Sequence, residues 1–478
     1  MRSFRDPAGR LHFIGPHLIR QIRAEAAPVY RSLLQGEVLR GLIASGDLIG
    51  TEILDGGHTV LAHHCRRQEC EPPLAAKEDL FLTHEVIPFP SFPSEWPAEM
   101  LKAAASLTLD LAERGLAQGV GLKDASPYNV LFRGPRPVFV DLLSFEPRHP
   151  CDPIWLPQAQ FLRTFTLPLL AHARLGLPLD SIFLCRRDGL EPMELYRMLG
   201  PLRRILPPFL GTVTLPVWLS GRAEAKGSAI YRPRRMGSAE QARFVLGSLF
   251  RRLRRDIDRI PTASVKGSAW NDYCRSCCYD ESSFAAKSAF VEEFLREARP
   301  ARVLDVGCNT GHFSRLAAEA GAEVVAIDRD PTVVGALWRE ARQNGRDILP
   351  LVVDFARPTP ALGWDYAETP SFLERSRGGF DALLMLALIH HLLVTDRIPL
   401  PKLFSLAAQV TRRYLVAEYV PPDDPQFLRI ARGHEALHRH LTPEVFEEAA
   451  AAHFRILKQT GIGNHGRILY LMEKHNGR

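Results

Sequence analysis

Val303-Leu304-Asp305-Val306-Gly307-Cys308-Asn309-Thr310-Gly311-His312-Phe313-Ser314 reads as an apolar strand that ends in Asp-x-Gly-x-Asn-x-Gly and runs directly into an amphipathic helix. Such a turn suits a nucleotide. Gly307 lets the backbone bend sharply and approach a ligand without a side chain, Asn309 is the non-glycine type that best tolerates a left-handed conformation, and Gly311 lets the helix pack closely. A second strand, Glu323-Val324-Val325-Ala326-Ile327, follows Gly321 and ends at Asp328. An acidic side chain about 20 residues after the turn suits a ribose diol.

The next apolar run, 349–353, also ends in a carboxylate, Asp354, so three consecutive strand ends are marked. Residues 380–387 read as a buried fourth strand and 413–418 as a fifth. The alternation then breaks. Residues 454–460 and 467–472, joined by Gly461-Ile462-Gly463-Asn464-His465-Gly466, predict a hairpin, so the sheet should end antiparallel.

With these motifs in place, residues 268–474 resemble a class I S-adenosylmethionine-dependent methyltransferase, an α/β fold with a Rossmann-like sheet whose last strand is antiparallel. The resemblance implies S-adenosylmethionine as cofactor, with Asp305, Gly307, Asn309 and Gly311 along its methionine and ribose parts, Asp328 on the ribose hydroxyls and Asp354 on the adenine amine. Cys308 within the turn and Leu386 at the end of the fourth strand are counted in the same site. The family more often carries glycine where this chain has Asn309. An NAD site is the alternative, but the Gly-x-Gly-x-x-Gly spacing is absent.

A chain of 478 residues, 46% hydrophobic, has material for two or three domains. It opens without a signal-peptide pattern, and its longest apolar run, 206–219, is broken by Pro207, Pro208 and Pro216, so neither signal peptide nor membrane span is expected. Eight cysteines without a framework of paired spacings predict a reduced, cytoplasmic protein. His63-His64-Cys65 with Cys70, and Cys274 with Cys277-Cys278, hold metal-ligand types but no second half at zinc spacing, so no metal is expected. The net charge of +6 is mild for this length. Its arginines cluster in Arg232-Pro233-Arg234-Arg235 and along a predicted helix, 239–260, with Arg251, Arg252, Arg254 and Arg255 on the polar side. Charge alone leaves room for a phosphate-rich partner such as nucleic acid, a nucleotide sugar or a membrane surface, but no aromatic-interleaved basic strand supports RNA readout.

The front half has its own motif. Gly121-Leu122-Lys123-Asp124-Ala125-Ser126-Pro127-Tyr128-Asn129, followed by Pro137-Val138-Phe139-Val140-Asp141, resembles the catalytic loop and metal-binding Asp of the protein kinase and aminoglycoside phosphotransferase superfamily. That resemblance implies Asp124 as the residue orienting a hydroxyl, Asn129 and Asp141 as magnesium ligands, 103–115 as the helix before the loop and 80–85 as the hinge. Leu122 stands where kinases carry His, Leu142-Leu143 follow Asp141, and neither a Gly-rich loop nor a convincing strand lysine is found, Lys77 lying too near the hinge. Mg-ATP chemistry is therefore not expected. A kinase-shaped, degenerate binding domain is.

The Lys123-to-Asn129 loop, Pro93-Ser94-Glu95-Trp96, Trp270-Asn271-Asp272-Tyr273 with Tyr279 and Lys287, and Ile389-His390-His391-Leu392 together are similar to a narrower group, the nodulation NoeA-related methyltransferases, over nearly the whole chain. The group's association with signalling glycans implies a sugar or another hydroxylated small molecule as acceptor. The expected organisation is a kinase-like domain over 1–149, a helical segment over 150–260 that extends it, a linker at 261–268 and the methyltransferase domain over 269–478.

Methyl transfer is an in-line displacement, so the protein must hold the acceptor and, for a hydroxyl, remove its proton. The crevice of a doubly wound sheet lies at the strand carboxyl ends, where His390 and His391 follow the fourth strand and Glu418 ends the fifth. One histidine is the expected base, with Glu418 orienting it or binding acceptor hydroxyls, while His434, His438 and His440 read as surface residues. The alternatives are a non-catalytic scaffold that binds S-adenosylmethionine or ATP, and an RNA methyltransferase.

Overall fold

Four antiparallel strands open the chain: β1 (Gly9–Ile14), β2 (His17–Ile22), β3 (Thr51–Ile53) and β4 (Leu80–His84), in the order β1-β2-β4-β3. The computed structural model describes residues 6–15, 17–57, 59–61, 76, 78–224, 235–262, 281–463 and 465–475. The His63–Cys70 and Cys274–Cys278 clusters, Lys77, Arg232 to Arg234, most of the 261–268 linker, and Trp270 to Tyr273 with Tyr279 lie outside the described residues. Among the described residues no group of three or more metal-ligand side chains is assembled, and no helix is long and apolar enough to cross a membrane.

Helices Ala27–Gln35 and Glu37–Ala44 fall between β2 and β3, the place of the regulatory helix in a kinase small lobe. Next comes helix Ala98–Ala117, longer at both ends than the run expected at 103–115. It begins behind Pro97, is rich in alanine and leucine, and buries Met100, Leu101, Ala104, Ala105 and Leu109. The loop carrying Asp124 and Asn129 leads into the hairpin of β6 (Val130–Arg133) and β7 (Arg136–Phe139), flanked by the short pair β5 (Val120–Leu122) and β8 (Phe145–Pro147). This is the kinase-like α+β arrangement.

The segment after residue 150 covers that loop. Trp155 Nε1 donates to Leu122 O at 3.1 Å, and the Gln160 side chain donates to Asp124 at 2.6 Å while accepting from the Ala125 N–H at 2.9 Å. Helix Ala239–Asp258 buries Leu246, Phe250, Leu253 and Ile257 at helical spacing. Lys102 Nζ donates to the carbonyls of Asp258 and Ile260 at its C-terminal end, at 2.9 and 3.1 Å. Arg254 bonds Asp110 and Glu113 on helix Ala98–Ala117, both at 2.7 Å. One member of the expected basic face is thus committed inside the molecule.

The second half is built on β9 (Arg302–Val306), β10 (Glu323–Asp328), β11 (Ile348–Val352), β12 (Phe380–Met385), β13 (Thr411–Tyr419), β14 (Phe454–Ile462) and β15 (Arg467–Lys474), in the order β11-β10-β9-β12-β13-β15-β14. The first five are parallel and β15 is antiparallel to β13 and β14, as the hairpin pattern predicted. Strand order reverses between β9 and β12, and a crevice opens at that switch point.

The two halves share one apolar core. Glu95 of the Pro-Ser-Glu-Trp motif, fully buried, pairs with Arg375, which is 4% exposed and belongs to the second half. The Glu95 carboxylate also accepts the Phe92 N–H at 3.2 Å, and the Arg375 guanidinium lies over Phe89, Phe92 and Phe372 at 4.9, 5.2 and 5.6 Å. Glu99 pairs with Arg339 nearby, where a Cβ on Gly335 would meet the Glu99 carboxylate at 2.4 Å, so this glycine permits the close approach of two helices.

Candidate functional site

The Gly-rich turn sits at the carboxyl end of β9. Gly307 and Asn309 have φ of 75° and 49°, and Gly307 N–H and Cys308 N–H both donate to Ile327 O, at 2.8 and 3.0 Å, tying the turn to β10. Gly311, at φ 81°, is required by space as well: a Cβ there would lie 2.3 Å from Leu337 Cδ1. The close neighbour is therefore the helix after β10 rather than the strand.

Around this turn is a cavity of about 550 Å³, within the roughly 300–1,000 Å³ of small-molecule sites. Asp305, Gly307, Cys308, Asn309, Asp328, Asp354 and Leu386 all line it. Its apolar walls include Phe284, Phe313 and Phe355. Asp328 accepts the N–H groups of Asn309 and Asp330, at 3.0 and 2.9 Å, one on each oxygen, so each oxygen keeps a lone pair for a ligand hydroxyl. Burial pushes its pKa up, and those two N–H donors counter the shift. Asp354 is held by the Ala356 N–H at 2.9 Å. Burial lifts the Asp305 carboxyl to about 6 despite the bond from Ser314 Oγ at 2.6 Å, and burial holds the Cys308 thiol well above its ordinary pKa, so that thiol stays protonated. Carboxylates at three strand ends, aromatic walls and a glycine-lined turn fit a nucleoside with free ribose hydroxyls.

The expected catalytic residues divide. His391 lines the cavity. His390 is buried, with its ring 4.3 Å from that of His391 and stacked on Phe427 at 6.4 Å, and neither of its nitrogens has a hydrogen-bond partner among the described residues. Burial, His391, Arg467 and Lys287 hold the His390 pKa well below its ordinary value, whereas burial and then Arg329 bring His391 down to about 4. Both rings are neutral at pH 7.

Glu418 is fully buried at the end of β13 and pairs with Lys287 and with Arg467, the latter at 3.2 Å; Arg467 also holds Asp424 through two bonds of 2.7 and 2.9 Å. Glu418 further accepts the N–H of Ala387 at 2.8 Å, where the backbone takes a φ of 50°. This network of two cations and two anions clamps the exit of β12, just before the histidines. The sequence reading missed Arg467, Asp424 and Asp396. Asp396 lines the cavity, but no local motif marks it. Lys287, also in the cavity wall, had been noted only as part of a resemblance.

In the front half Asp141 is bonded by Ser144 Oγ at 2.6 Å and paired with Arg20 at 3.2 Å, and Asn129 donates to the same Ser144 Oγ at 3.2 Å. Arg20 is 3% exposed, lies on β2 just ahead of the helical insertion where kinases carry their strand lysine, and also donates to His84 at 3.1 Å. Burial and then Arg20 bring His84 down to about 3. The sequence signal for Arg20 was a cation inside the apolar run Leu18-Ile19-Arg20-Gln21-Ile22. A guanidinium bound to Asp141 competes with magnesium for that carboxylate. The intact chain is expected to show no magnesium-dependent ATP turnover in a phosphate-release assay; turnover abolished by Asp141→Ala would contradict this.

Comparison with known proteins agrees with the cleft. Residues 279–431 match the family described as a methyltransferase domain. The chain is 29% identical over 493 aligned positions to nodulation protein NoeA of Rhizobium meliloti (strain 1021), covering 99% of this chain and 95% of that protein. Among solved structures, it is similar to magnesium protoporphyrin IX methyltransferase of Synechocystis PCC 6803 with bound S-adenosylhomocysteine (17% identity, 40% of this chain and 83% of the other, TM-score 0.30). It is also similar to the bifunctional kinase-methyltransferase WbdD (19% identity, 45% and 44%, TM-score 0.31). With strand-end carboxylates around a switch-point cavity, a matching domain and similarity to NoeA along almost its whole length, the chain is an S-adenosylmethionine-dependent methyltransferase.

Proposed function

We propose that the chain methylates a hydroxyl of a sugar or another hydroxylated small molecule, with His391 as general base. The observation that carries this reading is the position of His391: on the cavity wall, one residue from the buried His390, and neutral at pH 7 because burial and Arg329 bring its pKa to about 4. When bound, S-adenosylmethionine supplies an electrophilic methyl group. The chain's residues do the rest. Asp328 and Asp354 hold hydroxyl and amine groups at the strand ends, Phe284, Phe313 and Leu388 exclude water, and a ring nitrogen of His391 takes the acceptor hydroxyl's proton as oxygen becomes the nucleophile.

The Glu418–Lys287–Arg467–Asp424 network acts at one remove, keeping the β12 exit rigid so that His391 stays in register with the turn. The front domain, with Asp141 tied to Arg20, serves in this reading as a binding element for acceptor or partner rather than a second catalyst. Products formed with S-adenosylmethionine and a panel of sugars, glycans and amines test the acceptor class. An alkali-stable methyl ether is expected; methylation confined to nitrogen would overturn the reading.

A further inference from the structure

A second cavity, of about 860 Å³, lies against another face of helix Ile389–Val394. His391 and Leu392 face the first cavity, Leu393 and Val394 this one; Asp396 lines the first and Arg397 the second, and no residue lines both. Much of its wall is apolar, with Leu393, Ile430 and Val445 on three different elements, and Leu437, 65% exposed, also belongs to the lining. The polar lining is donor-rich. Arg397 forms no ion pair among the described residues, and three of the remaining polar groups are His434, His438 and His440, against a single carboxylate, Glu448. These histidines, read from sequence as surface residues, share one concavity.

Arg397 has a second peculiarity, a φ of 56°, a left-handed conformation that a non-glycine residue adopts only under strain. Strain of this kind persists where the surroundings impose it. His438 stands edge-on to Phe427 at 5.5 Å, and Phe427 stacks on His390, whose ring lies 4.3 Å from that of His391, so a series of ring contacts runs from the wall of this cavity to the wall of the first.

We propose that this cavity is a second ligand site, for an anionic amphiphile whose apolar body lies between Leu393, Ile430 and Val445 and whose anionic head meets Arg397 and the histidines. Size and apolar walls suit a small organic ligand, and Arg397, with no ion pair among the described residues, is the cation an anionic head would meet, with neutral histidine rings beside it as hydrogen-bond donors. The site is independent of the methyl-transfer reading because the cavities share no residue.

Calorimetry on the full chain tests it, using decyl phosphate below its micelle concentration, decyl β-glucoside as the same tail without charge, and inorganic phosphate as the head without a tail. Decyl phosphate is expected to bind about tenfold or more tightly than either control. Ala449→Trp, which fills the cavity from helix Pro443–Ala451, and Arg397→Gln, at an exposed position, should each weaken it by about tenfold or more while S-adenosylmethionine affinity stays at the wild-type value. Decyl phosphate affinity unchanged in both variants, or equalled by the glucoside, overturns the proposal. The S-adenosylmethionine titration reads only the first cavity, so a failure there leaves this result interpretable.

Discussion

His391→Ala is expected to lower turnover by roughly 10²–10⁴ while S-adenosylmethionine affinity changes little, because general-base removal acts on the acceptor's proton rather than on cofactor binding. The pH profile sharpens the test. A base works deprotonated, so the rate falls as pH drops through its pKa, and with His391 at about 4 the acid limb of the free enzyme belongs near pH 4 rather than near the ordinary histidine value of about 6.5. The alanine variant should lose that limb. His390→Ala should behave differently: it empties a buried site stacked on Phe427, so it should lower stability before chemistry. Full turnover in His391→Ala with a methylated acceptor would leave catalysis to positioning alone.

The second large effect concerns the joint between the halves. Arg375→Ala leaves the Glu95 carboxylate buried without its cation, and breaking such a pair costs on the order of 3–5 kcal/mol. Its three aromatic neighbours, Phe89, Phe92 and Phe372, lose their cation as well. Chemical denaturation of the full chain should show one destabilised transition for both halves, since they share a core. Replacing both partners with apolar residues, Glu95→Leu with Arg375→Met, should recover much of the loss. A wild-type midpoint in Arg375→Ala would mean that the joint rests on apolar packing alone.

The parallel sheet was legible because its strands carry short apolar runs, those of β9, β10, β11 and β13 reaching a carboxylate or glycine at or near their ends, and buried parallel strands need no partner information to be recognised. The turn residues were legible for the same reason: positive φ and close approach restrict the residue type at Gly307, Asn309 and Gly311. Arg20, Arg375 and Arg467 were not. Each is a cation whose meaning comes from a carboxylate far away in sequence, Asp141, Glu95 or Asp424, and nothing local separates such an arginine from a solvated one. The Pro-Ser-Glu-Trp motif shows the same limit, since its spacing was conspicuous but its partner Arg375 lies 280 positions on. His390 and His391 looked equivalent in sequence. Their separation comes from the helix they begin, in which adjacent residues diverge by about 100°.

The central claim, that the switch-point cavity is the S-adenosylmethionine site, is tested most directly by titrating S-adenosylmethionine into the intact chain and its Asp328→Ala variant in a calorimeter. One cofactor per chain is expected. The variant, stripped of a charged acceptor for the ribose hydroxyls, should bind about ten- to a hundred-fold more weakly, equivalent to roughly 1.5–3 kcal/mol. No binding to the intact chain, or equal affinity in the folded variant, would contradict the account.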